Sequence, residues 1–373
     1  MGVAALLTAA VLAATPASYV ASRQQPDGGF AEAGSRSTPG LTAWAMLGLR
    51  AAGQPTGTAY DYLVAHEDEL QSATDIELAV MAEAATGRIS DRLYARFSAL
   101  GRPDGRFGPA INSTAWGILA STPASYVASR QQPDGGFAEA GSRSTPGLTA
   151  WAMLGLRAAG QPTGTAHDYL VAHESELQSA TDVELAVMAE AATGAVSETL
   201  YSRFTALGHP DGRIGPAINS TAWGILASAQ VGRPVKVRVS YLLQHQRRSG
   251  GWGWIAGAAP DSNDTAAVIQ ALRTQGVRGG PIARGIAFLR RLQNADGGFE
   301  LTAGRGSDAQ STAWAVQAFV AARVKPPAGA FRYLAAVRRV DGSYRYSRKY
   351  GATPVWVTAQ VLPALARKSF PLR

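Results

Sequence analysis

The sequence contains no cysteine. That absence excludes disulfide bonds, thiolate nucleophiles and thiolate-ligated metal sites together, and it leaves the redox compartment open. Histidine is scarce: His66, His167, His173, His209 and His245 stand far apart, and His66 and His173 share one position of a repeat, so no metal-ligand spacing occurs. Neither a metal nor a cofactor is implied. Lysine occurs only at Lys236, Lys325, Lys349 and Lys368, so the net charge of +8 is carried mostly by arginine, and charged residues make up only 17% of the chain. A basic balance can draw polyanions. However, Arg88, Arg92 and Arg96, spaced as a stripe along one helix, are matched in a second copy by Ala195, Thr199 and Arg203. That pattern reads as a solvated helix face and argues against nucleic acid as a partner.

With 46% hydrophobic residues over 373 positions, the chain can bury a large core. The apolar run at residues 1–14 is too short to span a bilayer. It ends in small residues, as a secretory signal peptide does, although the first arginine is only Arg23. Export is the expectation from this run. The alternative is a helix remnant, because residues 8–13 echo residues 114–119.

Residues 15–121 and 122–228 match with a constant offset of 107, and only eleven pairs differ, among them Tyr60/His167, Asp68/Ser175 and Phe107/Ile214. Two three-hairpin units are therefore expected, followed by a third unit at 229–373. Within each, a short outer helix precedes a glycine turn and a more apolar inner helix. The turns read Asp27-Gly-Gly-Phe30, Asp104-Gly-Arg-Phe107, Asp134-Gly-Gly-Phe137, Asp211-Gly-Arg-Ile214, Ser249-Gly-Gly-Trp252, Asp296-Gly-Gly-Phe299 and Asp341-Gly-Ser-Tyr344. Inner helices are expected at 41–52, 112–120, 264–272 and 311–321, each opened by Ser, Thr, Asn or Asp able to cap free backbone N–H groups. The class is all-α. About nine hairpins result, and since one hairpin cannot bury its own inner face, they must stack into a curved double layer or a toroid.

Four segments repeat one spacing: Tyr19-Val20 to Gln24 to Phe30, Tyr126-Val127 to Gln131 to Phe137, Tyr241-Leu242 to Gln246 to Trp252, and Phe288-Leu289 to Gln293 to Phe299. This spacing resembles the QW motif of the repeat family that includes squalene-hopene-type terpenoid cyclases and protein prenyltransferase β-subunits. The resemblance implies an α/α toroid, in which six hairpins close a ring around an apolar cavity.

The site is a separate question. A zinc-dependent prenyltransferase of this family needs a thiolate ligand, which this chain cannot supply. The cyclases start by protonating an alkene or epoxide from the middle Asp of Asp-x-Asp-Asp-Thr-Ala. Here the match is Asp261-Ser262-Asn263-Asp264-Thr265-Ala266, with an amide at the acid position. An amide cannot donate that proton. Asp261, Asp264 and Asp308 are the remaining acid candidates, but capping is the simpler role for each, and near a helix N-terminus Asp261 and Asp264 should both be ionised. Cavity candidates are Trp116, Trp223, Trp314, Asn263 and Trp356. The tryptophans can face a carbocation or simply pack between helices. The expected function is an exported, non-catalytic toroid that binds an apolar small molecule or another protein on its concave face. Two enzyme readings stand beside it: a terpenoid cyclase or isomerase with a displaced acid, and a glycosidase with two facing carboxyls, for which no motif speaks.

Overall fold

The computed structural model describes residues 15–102, 106–109, 114, 117, 120–232 and 239–372. The apolar run at residues 1–14 and most of the inner helix expected at 112–120, including Trp116, lie outside them. The described residues form helices and isolated bridges, with no longer strand. In chain order the helices are α1 (Pro16–Ala21), α2 (Pro39–Ala51), α3 (Ala59–Ala65), α4 (Ala73–Ala84), α5 (Asp91–Ala99), α6 (Pro123–Ala128), α7 (Pro146–Ala158), α8 (Ala166–Ala172), α9 (Ala180–Thr193), α10 (Glu198–Ala206), α11 (Ile218–Val231), α12 (Val239–Gln244), α13 (Ser262–Thr274), α14 (Gly280–Arg291), α15 (Ala309–Ala321), α16 (Ala328–Val337) and α17 (Pro354–Leu365). Helices α2, α13 and α15 fall where the apolar runs place them, extended by a few residues through their caps. Thr38, Asp261 and Asp308 each accept a backbone N–H of the first turn.

The glycine turn works as a staple. Its last residue donates a backbone N–H to a threonine in the following inner helix: Phe30 to Thr42, Phe137 to Thr149, Trp252 to Thr265, Phe299 to Thr312 and Tyr344 to Thr358, each at 2.9 Å. The repeated glutamine then ties the turn to the next hairpin. Gln131 Nε2 donates to the carbonyls of Gly135 and Thr163, and Gln246 Nε2 to those of Gly250 and Pro281. Glycine is required within the turn because the next hairpin's backbone comes so close: a Cβ on Gly297, at φ +88°, would lie 2.5 Å from the Gly329 carbonyl oxygen.

Inner helices α7, α9, α11, α13, α15 and α17 pack each on the next, and α17 returns to α7, so six hairpins close a ring. The second copy and the C-terminal unit supply all six. The closing contact is tight: a Cβ on Gly155 would lie 2.5 Å from the Ala359 carbonyl oxygen. Glu139 fastens the same seam, its carboxylate accepting the N–H groups of Val355 and Trp356 at the start of α17.

The first copy stands outside the ring. It is joined through α4 against α6, through Tyr94, whose hydroxyl donates to the Asp341 carbonyl at 2.7 Å, and through the Tyr94–Tyr126 ring contact. Its first hairpins hold a separate small core around Phe30, Met46, Leu49 and Leu63. Helices α2 and α7 have the same thirteen residues, yet Trp44 is 49% exposed and Trp151 only 9%. Tyr19 and Tyr126 differ in the same way, at 54% and 2%. Differences between the copies come partly in contacting pairs. The Arg88 guanidinium sits over the Tyr60 ring, and both are replaced together by Ala195 and His167. The Arg92–Asp68 ion pair becomes Thr199 and Ser175.

Two predictions follow from this packing. Gly155→Ala forces backbone against backbone and is expected to destabilise by roughly 2 kcal/mol or more. The equivalent Gly48→Ala meets no described atom within 4 Å, so it gains about 0.5–1 kcal/mol of helix propensity. Chemical denaturation of both variants decides the matter, and equal effects would contradict the ring closure described.

The second concerns buried acids. Burial pushes Glu190 up to about 7 and Glu83 up to about 8, and it holds Glu184, neither of whose carboxyl oxygens has a hydrogen-bond partner, well above the usual carboxylate range. These groups hold their protons more tightly when folded than when unfolded. The folded pKa is the higher one, so the stability involved is full below about pH 4.5 and drains away as pH rises through 7 to 8. Thermal melts should therefore show Glu184→Gln matching the wild type at pH 4.5 and exceeding it at pH 8, by on the order of 1 kcal/mol or more.

Candidate functional site

All six inner helices of the ring start at the same rim, which gathers the polar residues singled out from the sequence. Four of the helix starts, those of α11, α13, α15 and α17, are satisfied by the loop of the hairpin that follows around the ring. Asn219 N–H donates to the Trp254 carbonyl, Ser262 N–H to Leu301 and Ala309 N–H to Tyr346, while Glu139 serves α17. This leaves side chains free for one another. Asp261 caps α13 by accepting the Asp264 N–H at 2.8 Å. Asp264 accepts from Asn219 Nδ2 at 2.6 Å, and Asn219 Oδ1 accepts from Thr181. Asn263 lies beside them, with its Oδ1 bonded by Ser262.

The expectation that both aspartates are ionised does not hold. Burial, with the Asp264 carboxyl alongside, pushes Asp261 up to about 8. The helix N-terminus is outweighed because the pair is removed from water and two like charges would share one small space. Asp308 is buried too, and burial raises it, although it caps α15 by accepting Ser311 N–H at 2.6 Å.

Deeper in the ring, the expected apolar cavity is occupied by side chains. Trp151, Trp223 and Trp314 come from the same slot of three inner helices and meet edge-on, with ring centroids 5.0 to 5.9 Å apart. Trp223 and Trp314 are 2% and 5% exposed. Phe370, from the segment after α17, packs tilted against them, its ring centroid 5.9 Å from that of Trp223 and 6.4 Å from that of Trp151. Gln360 fills the matching slot of α17 and accepts from Trp314 Nε1 and Gln310 Nε2. Each of these tryptophans therefore packs against its counterparts.

Trp356 is placed differently. It lies on the rim and lines a cleft of 790 Å³ together with Asp308, Tyr333, Tyr346, Arg305 and Arg348. Sequence reasoning named Trp356 and Asp308 but missed Tyr333, which stands on α16, and Arg305, Tyr346 and Arg348, which come from loops. Gln360, Gln270, Gln230 and Phe370 were also missed. Gln360 had a readable signal, since it follows Thr358 by two residues as the tryptophans follow Thr149, Thr221 and Thr312. Among the described residues no cluster of three or more His, Asp or Glu is placed to hold a metal ion. Nor is any described helix long and apolar enough to cross a membrane.

No protein-family model matches the sequence, and no curated protein sequence does. Solved structures do match. The type II terpene cyclase MstE from Scytonema superposes with a TM-score of 0.51 at 17% identity, over 69% of this chain and 98% of that one. A variant of that cyclase in complex with its substrate, geranylgeranyl dihydroxybenzoate, gives 0.51 at 15% identity, over 67% and 97%. The ent-copalyl diphosphate synthase of Streptomyces platensis gives 0.42 at 16% identity, over 94% and 91%. At such identities the likeness concerns architecture alone: this chain, with its closed ring of helical hairpins, has the α/α-toroid fold of the Scytonema type II terpene cyclase.

Proposed function

We propose that the protein is an exported, non-catalytic toroid that binds an apolar ligand with an anionic head in the rim cleft beside Trp356. The cleft itself carries the reading. Trp356, Tyr333 and Tyr346 offer apolar wall, while Arg305, Arg348 and Lys349 offer cations at its edge. The ligand of the Scytonema cyclase, geranylgeranyl dihydroxybenzoate, joins a prenyl tail to an anionic aromatic head, the class of molecule such a cleft suits. Against chemistry stand Asn263 at the acid position and the tryptophans packed against one another on the ring axis. Export rests on residues 1–14 alone.

One observation favours a second reading, a cyclase with a displaced acid. Asp261, held up to about 8, is a carboxylic acid kept protonated at neutral pH. Its surroundings weaken the case, because its partner carboxyl Asp264 is held by Asn219 on the polar rim, and Asn219 in turn accepts from Thr181.

The expected outcome with geranylgeranyl dihydroxybenzoate is saturable binding by calorimetry and unchanged ligand by mass spectrometry. Trp356→Ala should weaken binding at least tenfold, about 1.4 kcal/mol. Arg305→Ala with Arg348→Ala should weaken it and flatten its salt dependence. A cyclised product that disappears in Asp261→Asn would establish the second reading instead.

A further inference from the structure

The ring has two mouths. The one at the inner-helix C-termini is closed by the segment that follows α17. After Ala366 the chain reverses at Arg367, whose φ is +52°, and Lys368 N–H bonds back to the Pro363 carbonyl. Phe370, 2% exposed, then enters the ring against Trp151 and Trp223.

The manner of holding is what matters. The segment forms no helix, and glutamine side chains grip its main chain. Gln270, fully buried on α13, accepts the Phe370 N–H at 2.9 Å. Gln230 on α11 accepts the Leu372 N–H at 2.6 Å and donates to the Leu372 carbonyl at 2.8 Å, a two-way amide pairing like that between strands. Peptide-recognition sites commonly combine main-chain hydrogen bonds, which any sequence can make, with a pocket that selects one side chain. The three main-chain bonds and the aromatic seat of Phe370 have that form, and the gripping side chains are uncharged.

We propose that the C-terminal mouth of the ring is a binding site for a bent, non-helical peptide carrying an aromatic residue followed two positions later by an aliphatic one, filled in cis by Phe370–Leu372. The partner is a polypeptide that presents such a segment in trans and exchanges with the internal one. Selectivity comes from Trp151 and Trp223, which accept a flat ring. Affinity comes from Gln230 and Gln270, which bond main-chain groups only. This site is separate from the rim cleft, since it lies at the opposite mouth and shares no residue with it.

The test keeps the full chain and weakens only the internal occupant. In Phe370→Ala, titration with the synthetic peptide Lys-Ser-Phe-Pro-Leu, followed by tryptophan emission and calorimetry, should show one-to-one binding at least tenfold tighter than in the wild type, where the site is filled. The same peptide with alanine for phenylalanine should bind at least tenfold more weakly, and so should the original peptide to Phe370→Ala with Gln230→Ala. Rim-cleft binding of the prenylated benzoate should be unchanged in Phe370→Ala, and Trp356→Ala should leave peptide binding intact, so each reading fails separately. A folded Phe370→Ala, shown by a cooperative melt and native near-ultraviolet dichroism, that binds neither peptide would overturn the proposal. Loss of cooperative folding in both Phe370→Ala and a milder Leu372→Ala would also overturn it, by showing that the segment is part of the core.

Discussion

The approach of neighbouring inner helices is the constraint from which the rest of the architecture follows. At the seam, α7 and α17 come so near that Gly155 has no space for a Cβ, and the slot one residue after each turn-bonded threonine is alanine on α7, α11, α13, α15 and α17, every one fully buried. Helices can pack this closely only where side chains nearly vanish. The larger residues are thereby displaced to the slot that faces the axis, which is where the tryptophans stand. A narrow ring and a filled centre are two consequences of one choice of residues. Glu184 on α9 is the exception in the alanine slot, and its unpartnered carboxyl is the cost of a polar residue there.

Much of the fold was legible because it is written in periods. The glycine turns, the caps and the apolar runs each recur, and each names its own helix. What the sequence could not reveal is which copy closes the ring. Helices α2 and α7 are identical in sequence, and only the encounter with α17 separates buried Trp151 from the half-exposed Trp44. That encounter joins residues about two hundred positions apart, and no local pattern encodes it. Glu139 makes the same point: Glu32 is its twin in the first copy, yet only Glu139 meets a helix start.

The candidate site was legible in part, for the same reason. Asp261, Asn263, Asp264 and Asp308 announce themselves by their position before an inner helix, and the structure does gather them at one rim. Their charge states were not legible. Helix capping argues for ionisation, and that argument is sound for an exposed cap, but Asp261 is buried beside a second carboxyl, and a sequence does not report depth. The cleft residues were hidden for another reason, since Arg305, Tyr346 and Arg348 sit in irregular loops that become neighbours only when hairpins five and six dock.

The chemistry open to the ring axis can be argued from what its side chains already do. Stabilising a carbocation requires aromatic faces turned toward empty space and a proton donor beside it. Here the tryptophans spend those faces on one another in edge-to-face contacts, and the polar groups among them, Gln360, Gln317 and Gln270, are amides that neither donate a proton to carbon nor carry charge. Amides of this kind pair well with other neutral hydrogen-bonding groups, as Gln230 and Gln270 do with the main chain around Phe370. An axis built in this way is suited to recognising a neutral backbone, and the protonated carboxyl at the rim stands apart from it, bound into its own network with Asp264 and Asn219. Asn263→Asp is therefore expected to yield no cyclised product, because the aromatic faces on the axis are already taken up by one another.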